Sequence, residues 1–181
     1  MKVTILEPNG YCTGVERAMN LAFETKKKSP SKNVVILGML VHNANSLKAL
    51  EKQGINTIFK ENISLEEQIK MIKEPSIVIL TAHGHSKKVE DLLIKNHHEI
   101  VDATCPFVRN SFVEISKAIK NGQYVFYIGV ENHPEAIAAL SISEKVIFVN
   151  AKTGEIPNLS CDSPMVISQT TLSNSEITNI I

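Results

Sequence analysis

Two cysteines hold the positions where this chain could do chemistry. Cys12 lies in GYCTGVERA and Cys105 in DATCPFV, each at a strand-to-helix turn. Gly10 and Gly14 flank the first and let backbone approach a ligand closely. Pro106 is placed to begin the helix after the second. A helix N-terminus favours negative charge, a thiolate included. Thiolates are soft ligands that suit iron–sulfur clusters and zinc. These two stand 93 residues apart, far from C-x-x-C zinc spacing, so a cluster held between two parts of the chain fits better. Each alone would equally fit a buried structural cysteine. Cys161, in LSCDSP, reads as a loop thiol that is not a ligand.

Histidines add a second set. His42 (LVHN), His83 (TAHG) and His133 (ENHPE) each follow a strand candidate directly. One such histidine is an ordinary local residue; three at corresponding strand ends point to one converging pocket. Imidazolium and helix N-termini suit an anionic, phosphate-bearing ligand. Glu135, two residues past His133, is a proton donor if burial raises its pKa, or a first-turn carboxylate answering the helix dipole. Thr170 and Thr171 read as hydroxyl relays or as the end of a turn. His85, His97 and His98 lack the strand-end placement and are expected at the surface.

The elements that position these residues alternate between strand and helix. Short β-type runs are Val3–Leu6, Val34–Leu37, Ile77–Leu80, Tyr124–Ile128, Val146–Val149 and Met165–Ile167. The continuous apolar run Ile77–Leu80 is the pattern of a sheet covered on both faces. Val15, Ala18, Met19, Ala22 and Phe23 repeat with helical spacing, and Lys26, Lys27 and Lys28 close that helix. Asn43–Lys52 reads as a helix stopped by Gly54. Ser64 with Glu67 opens a short one as a capping box. Val108, Phe112, Ile115 and Ile119 form a stripe closed by Gly122. Such alternation predicts an α/β fold with mostly parallel sheets.

The order also repeats. Cys, helix, strand, polar loop, strand, polar loop runs from Cys12 past His42 to His83, and again from Cys105 past His133 to Thr170. The expected architecture is therefore two α/β units, 1–103 and 104–181, around a central pocket at the carboxyl ends of their strands, where ligands sit in open α/β sheets.

Composition narrows the classes. The chain has 181 residues, 43% apolar and 21% charged, the profile of a soluble globular protein. Compact folding at 20.0 kDa leaves roughly 9,000 Å² exposed. Lys+Arg and Asp+Glu both number 19. That balance argues against a general nucleic-acid binder, which needs a basic excess. No apolar run is long enough to span a membrane. No signal peptide is visible and the cysteine count is odd, so thiols in a reducing, cytoplasmic setting are expected.

Taken together, GYCTGVERA, GMLVHN, TAHG, DATCP, G-VEN-HPE and SQTTLS resemble the 4-hydroxy-3-methylbut-2-enyl diphosphate reductases, over essentially the whole chain. The resemblance implies three similar α/β units in pseudo-threefold array around a 4Fe–4S cluster, of which two are expected here. It implies that Cys12 and Cys105 are two of three cluster ligands, and that His42, His83 and His133 hold the substrate diphosphate. It makes Glu135, assisted by Thr170 and beside His133, the donor of the proton that leaves with the allylic hydroxyl. The implied reaction is a two-electron reductive dehydroxylation giving isopentenyl and dimethylallyl diphosphate, with ferredoxin or flavodoxin as electron donor and a cytoplasmic location.

Departures from the family pattern are specific. A third Cys and a Ser-x-Asn motif are expected after SQTTLS, where only ten residues follow Thr171. Ser173–Glu176 opens a helix with Ile177, Ile180 and Ile181 on one face, which reads as an interrupted unit. Asn110 and Phe112 stand where Lys and His are expected, Ala136 follows HPE in place of valine, and His85 extends TAHG. Two other classes stay open on the residues themselves: a non-catalytic diphosphate-binding remnant, and a Cys–His nucleophilic enzyme.

Overall fold

The structure is a computed structural model that describes residues 3–4, 10–40, 44–72, 75–156, 158–159, 161, 163–178 and 180. Its first part runs α1 (Thr13–Lys28), β1 (Val34–Leu37), α2 (Ala44–Lys52), β2 (Ile55–Ile58), α3 (Leu65–Ile69), β3 (Ile77–Leu80), α4 (Lys87–Lys95) and β4 (Glu99–Asp102). Its second runs α5 (Pro106–Lys120), β5 (Val125–Gly129), α6 (Pro134–Leu140), β6 (Val146–Asn150), β7 (Met165–Ser168) and α7 (Asn174–Thr178). Two sheets result, ordered β2-β1-β3-β4 and β6-β5-β7, with every pairing parallel.

Side-chain alternation explains the first sheet. Val34, Ile36, Ile77 and Ile79 face one side and pack with Ala18, Met19 and Ala22 of α1. Val35, Leu37, Val78 and Leu80 face the other and pack with Val89 and Leu93 of α4. Both faces are dry, so both sets of positions must be apolar. The second sheet has its own core of Val125, Tyr127 and Val146 against Ile115 and Ala118 of α5 and Ala136 and Ala139 of α6. The total exposed surface is 11388 Å², above the roughly 9,000 Å² expected of one compact body.

Helix ends follow the local sequence. Ser64 Oγ accepts from Glu67 N–H at 3.3 Å and starts α3. Ser173 and Glu176 bond reciprocally: Ser173 N–H donates to Glu176 Oε2 at 2.8 Å, and Glu176 N–H to Ser173 Oγ at 3.4 Å. Gly54 and Gly122 end α2 and α5 with φ of 72° and 83°, which suits glycine.

Several expectations change. Of Val3–Leu6, Val3 and Thr4 lie outside any strand, and Ile5 and Leu6 fall outside the described residues, as does Asn43 before α2. Strands β2 and β4 and helix α4 were not anticipated: INTI and EIVD are too short and too polar to stand out. His98 is not a surface residue. It is 8% exposed, and its Nδ1 accepts from Ser76 N–H at 3.1 Å, tying β4 to the start of β3. His85 is likewise enclosed: its side chain is 8% exposed and bonds Glu90 Oε1 at 2.9 Å.

Ile36 has no exposed surface in the first core. Ile36→Ala is expected to destabilise the chain by about 2–5 kcal/mol. Val166→Thr, at a position 47% exposed on β7, is expected to cost no more than about 0.5 kcal/mol. Urea unfolding midpoints of the two variants test the difference.

Candidate functional site

Both cysteines occupy the same local structure. Cys12 is the N-cap of α1 and Cys105 the N-cap of α5, each with extended backbone. Each carbonyl accepts the first helical hydrogen bond, from Glu16 at 3.0 Å and from Arg109 at 2.9 Å. The two side chains come together over Gly14. A Cβ on that glycine would lie 2.7 Å from Cys105 Sγ and 3.9 Å from Cys12 Sγ, so both sulfurs lie within 4 Å of one point. Cys161 lies four residues before β7, at the amino end of that strand and so at the opposite end of the sheet from Thr170.

Cys105 is also joined to the histidines. Its N–H donates to Ala82 O at 2.9 Å, and His83 is the next residue. The His83 ring then meets the His133 ring edge-to-face, with centroids 5.3 Å apart and planes at 80°. One ring comes from the loop after β3 in the first sheet, the other from the loop after β5 in the second. His42 lies outside the described residues.

His133 caps α6, and its Nδ1 accepts the backbone N–H of Glu135 at 3.1 Å. An accepting Nδ1 carries no proton, so the neutral ring holds its proton on Nε2 as a donor. Glu135 itself has no exposed surface. Its Oε1 accepts from Tyr127 O–H at 3.1 Å and from Thr170 N–H at 2.9 Å, and its Oε2 bonds the Thr170 hydroxyl at 2.8 Å. Burial raises the Glu135 pKa from its ordinary value near 4.5, and the hydrogen bonds from Thr170 and Tyr127 oppose that shift without cancelling it. Tyr127 is pushed up as well, first by burial and then by the Glu135 charge, and stays a neutral donor. Thr170 is exposed. It is the contact between the buried carboxyl and the outside.

Tyr127 and Gln169 escaped the sequence reading. Tyr127 looks like one more apolar residue in a strand. Gln169 is 3% exposed: its Oε1 accepts from Val130 N–H at 3.0 Å and its Nε2 donates to Thr171 Oγ1 at 2.6 Å. It clamps the loop that leads to His133 onto the loop that carries Thr170. A buried glutamine beside two threonines after a strand was the available signal.

A second carboxylate behaves oppositely. Asp102 ends β4, and its Oδ1 accepts from Thr104 N–H at 2.8 Å while Oδ2 pairs with Arg109 at 2.6 Å. Burial pushes its pKa up, but hydrogen bonding from Thr104, with His85 and Arg109 nearby, holds it below the usual carboxylate range. It is a fixed anion bracing the Cys105 turn.

Two thiols converging at helix N-termini fit two thiolate ligands of an iron–sulfur cluster, and the missing Gly14 side chain leaves them room. No group of three or more His, Cys, Asp or Glu side chains is gathered for a metal ion among the described residues. Two surface grooves, one between the last turns of α1 and α2 and one along α1 from Thr13 to Glu24, are lined by none of the cysteines or histidines. No helix among the described residues is long and apolar enough to cross a membrane.

Glu135 makes a pH prediction. Its folded pKa lies above the unfolded one. The stability it contributes as a neutral group is therefore complete below pH about 4.5 and is lost as pH rises through the folded value. Glu135→Gln keeps the shape and stays neutral. Its stability relative to the parent is expected to rise between pH 5 and pH 8, measured by urea unfolding. A constant difference would place the charge elsewhere.

The LytB protein family model matches residues 3–181. The 4-hydroxy-3-methylbut-2-enyl diphosphate reductase of Malacoplasma penetrans is 35% identical over 99% of this chain and 62% of its own length. That of Brevibacillus brevis is 35% identical over the whole chain and 58% of its length. The chain thus spans about three-fifths of the curated relatives it matches. Among solved structures, the E-1-hydroxy-2-methyl-but-2-enyl-4-diphosphate reductase from Plasmodium falciparum superposes with a TM-score of 0.80, at 27% identity, over 96% of this chain and 53% of that one. With the match running from the third residue to the last and the fold shared, this chain belongs to the LytB family.

Proposed function

We propose that these residues form part of the site at which an allylic 4-hydroxy diphosphate loses its hydroxyl group by two-electron reduction, giving isopentenyl and dimethylallyl diphosphate. The observation that carries the reading is the buried Glu135, two residues after His133 in the chain, with the hydroxyl of the exposed residue Thr170 2.8 Å from it. The relatives are longer than this chain, and the whole reaction is assigned to a polypeptide of their length. The residues here supply proton, anion grip and two thiolates.

The overall change consumes two electrons and two protons. The carbon–oxygen bond breaks, one proton leaves with the oxygen as water and one ends on carbon. Glu135 cannot touch a ligand directly, because none of its surface is exposed. Its proton passes to Thr170 Oγ1, and the Thr170 hydroxyl proton passes to the departing oxygen. Both hops are hydrogen-bond length or need one such contact. Gln169 and Tyr127 keep that pair aligned. His83 and His133, with His42, grip the diphosphate; the Nε2–H of a neutral His133 donates to a phosphate oxygen. Cys12 and Cys105 would hold a 4Fe–4S cluster as two of its ligands. When bound, a 4Fe–4S cluster supplies electrons one at a time and a Lewis-acidic iron. Its electrons come from a small redox protein, a ferredoxin or flavodoxin, in the cytoplasm.

Anaerobic reduction with dithionite and a viologen mediator tests the assignment in a family member of full length carrying these residues. Glu135→Gln is expected to lower the rate by about 10²–10⁴ with substrate affinity retained. His83→Ala and His133→Ala are each expected to weaken diphosphate binding by about 1–3 kcal/mol, read by calorimetry. Full turnover by the Gln variant would remove Glu135 as proton source, and unchanged affinity in both alanine variants would remove the pocket.

A further inference from the structure

Helix α1 carries two more residues that act on the thiol pair. Gly14 is buried, and the Cys105 sulfur fills the space where its side chain would be, 2.7 Å from the Cβ position. Real Cβ atoms do not come that close to a neighbour, so any side chain at 14 must displace Cys105. Three residues on, Arg17 Nη1 donates to Thr104 O at 3.3 Å, the carbonyl immediately before Cys105. The Cys105 turn is already secured to the first sheet: Ala103 N–H bonds Leu80 O at 3.1 Å, Cys105 N–H bonds Ala82 O, and Asp102 holds Thr104 N–H. Those bonds fix Cys105 to β3 and β4 but say nothing about Cys12. Cys12 rides on α1, and Gly14 and Arg17 are where α1 meets the Cys105 turn.

We propose that Gly14 and Arg17 are positioning residues that set the separation of Cys12 and Cys105. Gly14 sets how closely the two can approach, and Arg17 holds α1 in register against the Cys105 turn. Neither touches substrate. An arginine suits the task because its charge strengthens a bond to a carbonyl and its rigid fork loses less entropy than a lysine stem. The inference deepens the reading of the two thiols as one ligand pair, yet it concerns the distance between sulfurs with no cluster or substrate bound.

The test is intramolecular cross-linking of the 181-residue chain carrying Cys161→Ser, with a short bifunctional thiol reagent under anaerobic, metal-free conditions. The parent is expected to form the Cys12–Cys105 link in high yield. Arg17→Met and Gly14→Ala are each expected to lower the rate of the second, bridging step by about fivefold or more, the factor that corresponds to roughly 1 kcal/mol. Alkylation of each thiol by a monofunctional reagent should be unchanged, Arg17→Lys should recover part of the loss, and Asn20→Ala on the same helix should have no effect. A general loss of structure would alter the monofunctional rates as well. If Gly14→Ala fails to fold, Arg17→Met decides. Bridging at the parental rate in Arg17→Met overturns the role of Arg17, and bridging at the parental rate in a folded Gly14→Ala overturns that of Gly14. Iron uptake is scored separately, in a family member of full length carrying these residues: failure of that protein to take up iron and sulfide defeats the cluster reading and leaves the positioning role standing.

Discussion

Parallel pairing is the constraint on which the rest depends. In a parallel sheet every strand delivers its carboxyl end to the same edge, so loops distant in sequence meet there without further design. The two sheets apply it with the same register. Val34 pairs with Ile77 and Val125 with Met165, and the flanking bonds match: Ile77 N–H to Asn33 O and Met165 N–H to Tyr124 O, both 2.9 Å. Counting from the register, His42 and His133 each stand eight residues after the start of their central strand, and Ala82 and Thr170 each five residues after the start of the neighbouring one. The repeat seen in the residues is therefore a repeat in hydrogen-bond register, and the chemistry-bearing residues are its strand-end positions.

Within that frame, two carboxyl groups are given opposite characters by their surroundings. Glu135 is fully enclosed and receives three hydrogen bonds, yet burial still outweighs them and raises its pKa above the ordinary carboxyl value. Asp102 is half-buried and accepts from Thr104 and Arg109, and the balance falls the other way. One is suited to hold and release a proton, the other to stay an anion that braces a turn. Both roles need the second sheet and the start of α5 to be rigid. That is why Tyr127 and Gln169, neither of which reaches a ligand in the proposed reaction, matter to it.

What could be read from the residues depended on contrast with their surroundings. The α/β alternation, β1, β3, α1 and α5 stood out because full burial makes their apolar runs or stripes continuous. Strands β2 and β4 did not, because an edge strand such as INTI carries polar residues, and EIVD needs its charged ends for Lys32 and Arg109. Strand-end histidines and helix-start cysteines were visible as types in odd places. His98 and His85 were misjudged because their partners, Ser76 N–H and Glu90, are supplied by folding and leave no mark in the local sequence. Tyr127 was hidden by its resemblance to core, and Arg17 by sitting in a run of ordinary helix residues.

The junction between the units shows how the site is shared. By chain order Cys105 opens the second unit, as the second residue past a boundary placed at 103/104. By hydrogen bonding it belongs to the first, since β4 pairs with β3 and Cys105 N–H then bonds Ala82 O. A fourth strand thus carries the chain across the edge of one sheet and sets the next unit's cysteine at the carboxyl end of the previous one. In the second sheet the register makes Thr170 the counterpart of Ala82, and β7 is the edge strand among the described residues. At these equivalent strand ends the backbone bonds differ: the Ala82 carbonyl accepts from the Cys105 N–H, while the Thr170 N–H donates to the buried Glu135 carboxyl. The site is consequently a property of the contacts between units. Cys12 meets Cys105 only through α1 crossing to the turn after β4, and His83 meets His133 only across the two sheets, so neither half carries the chemistry by itself.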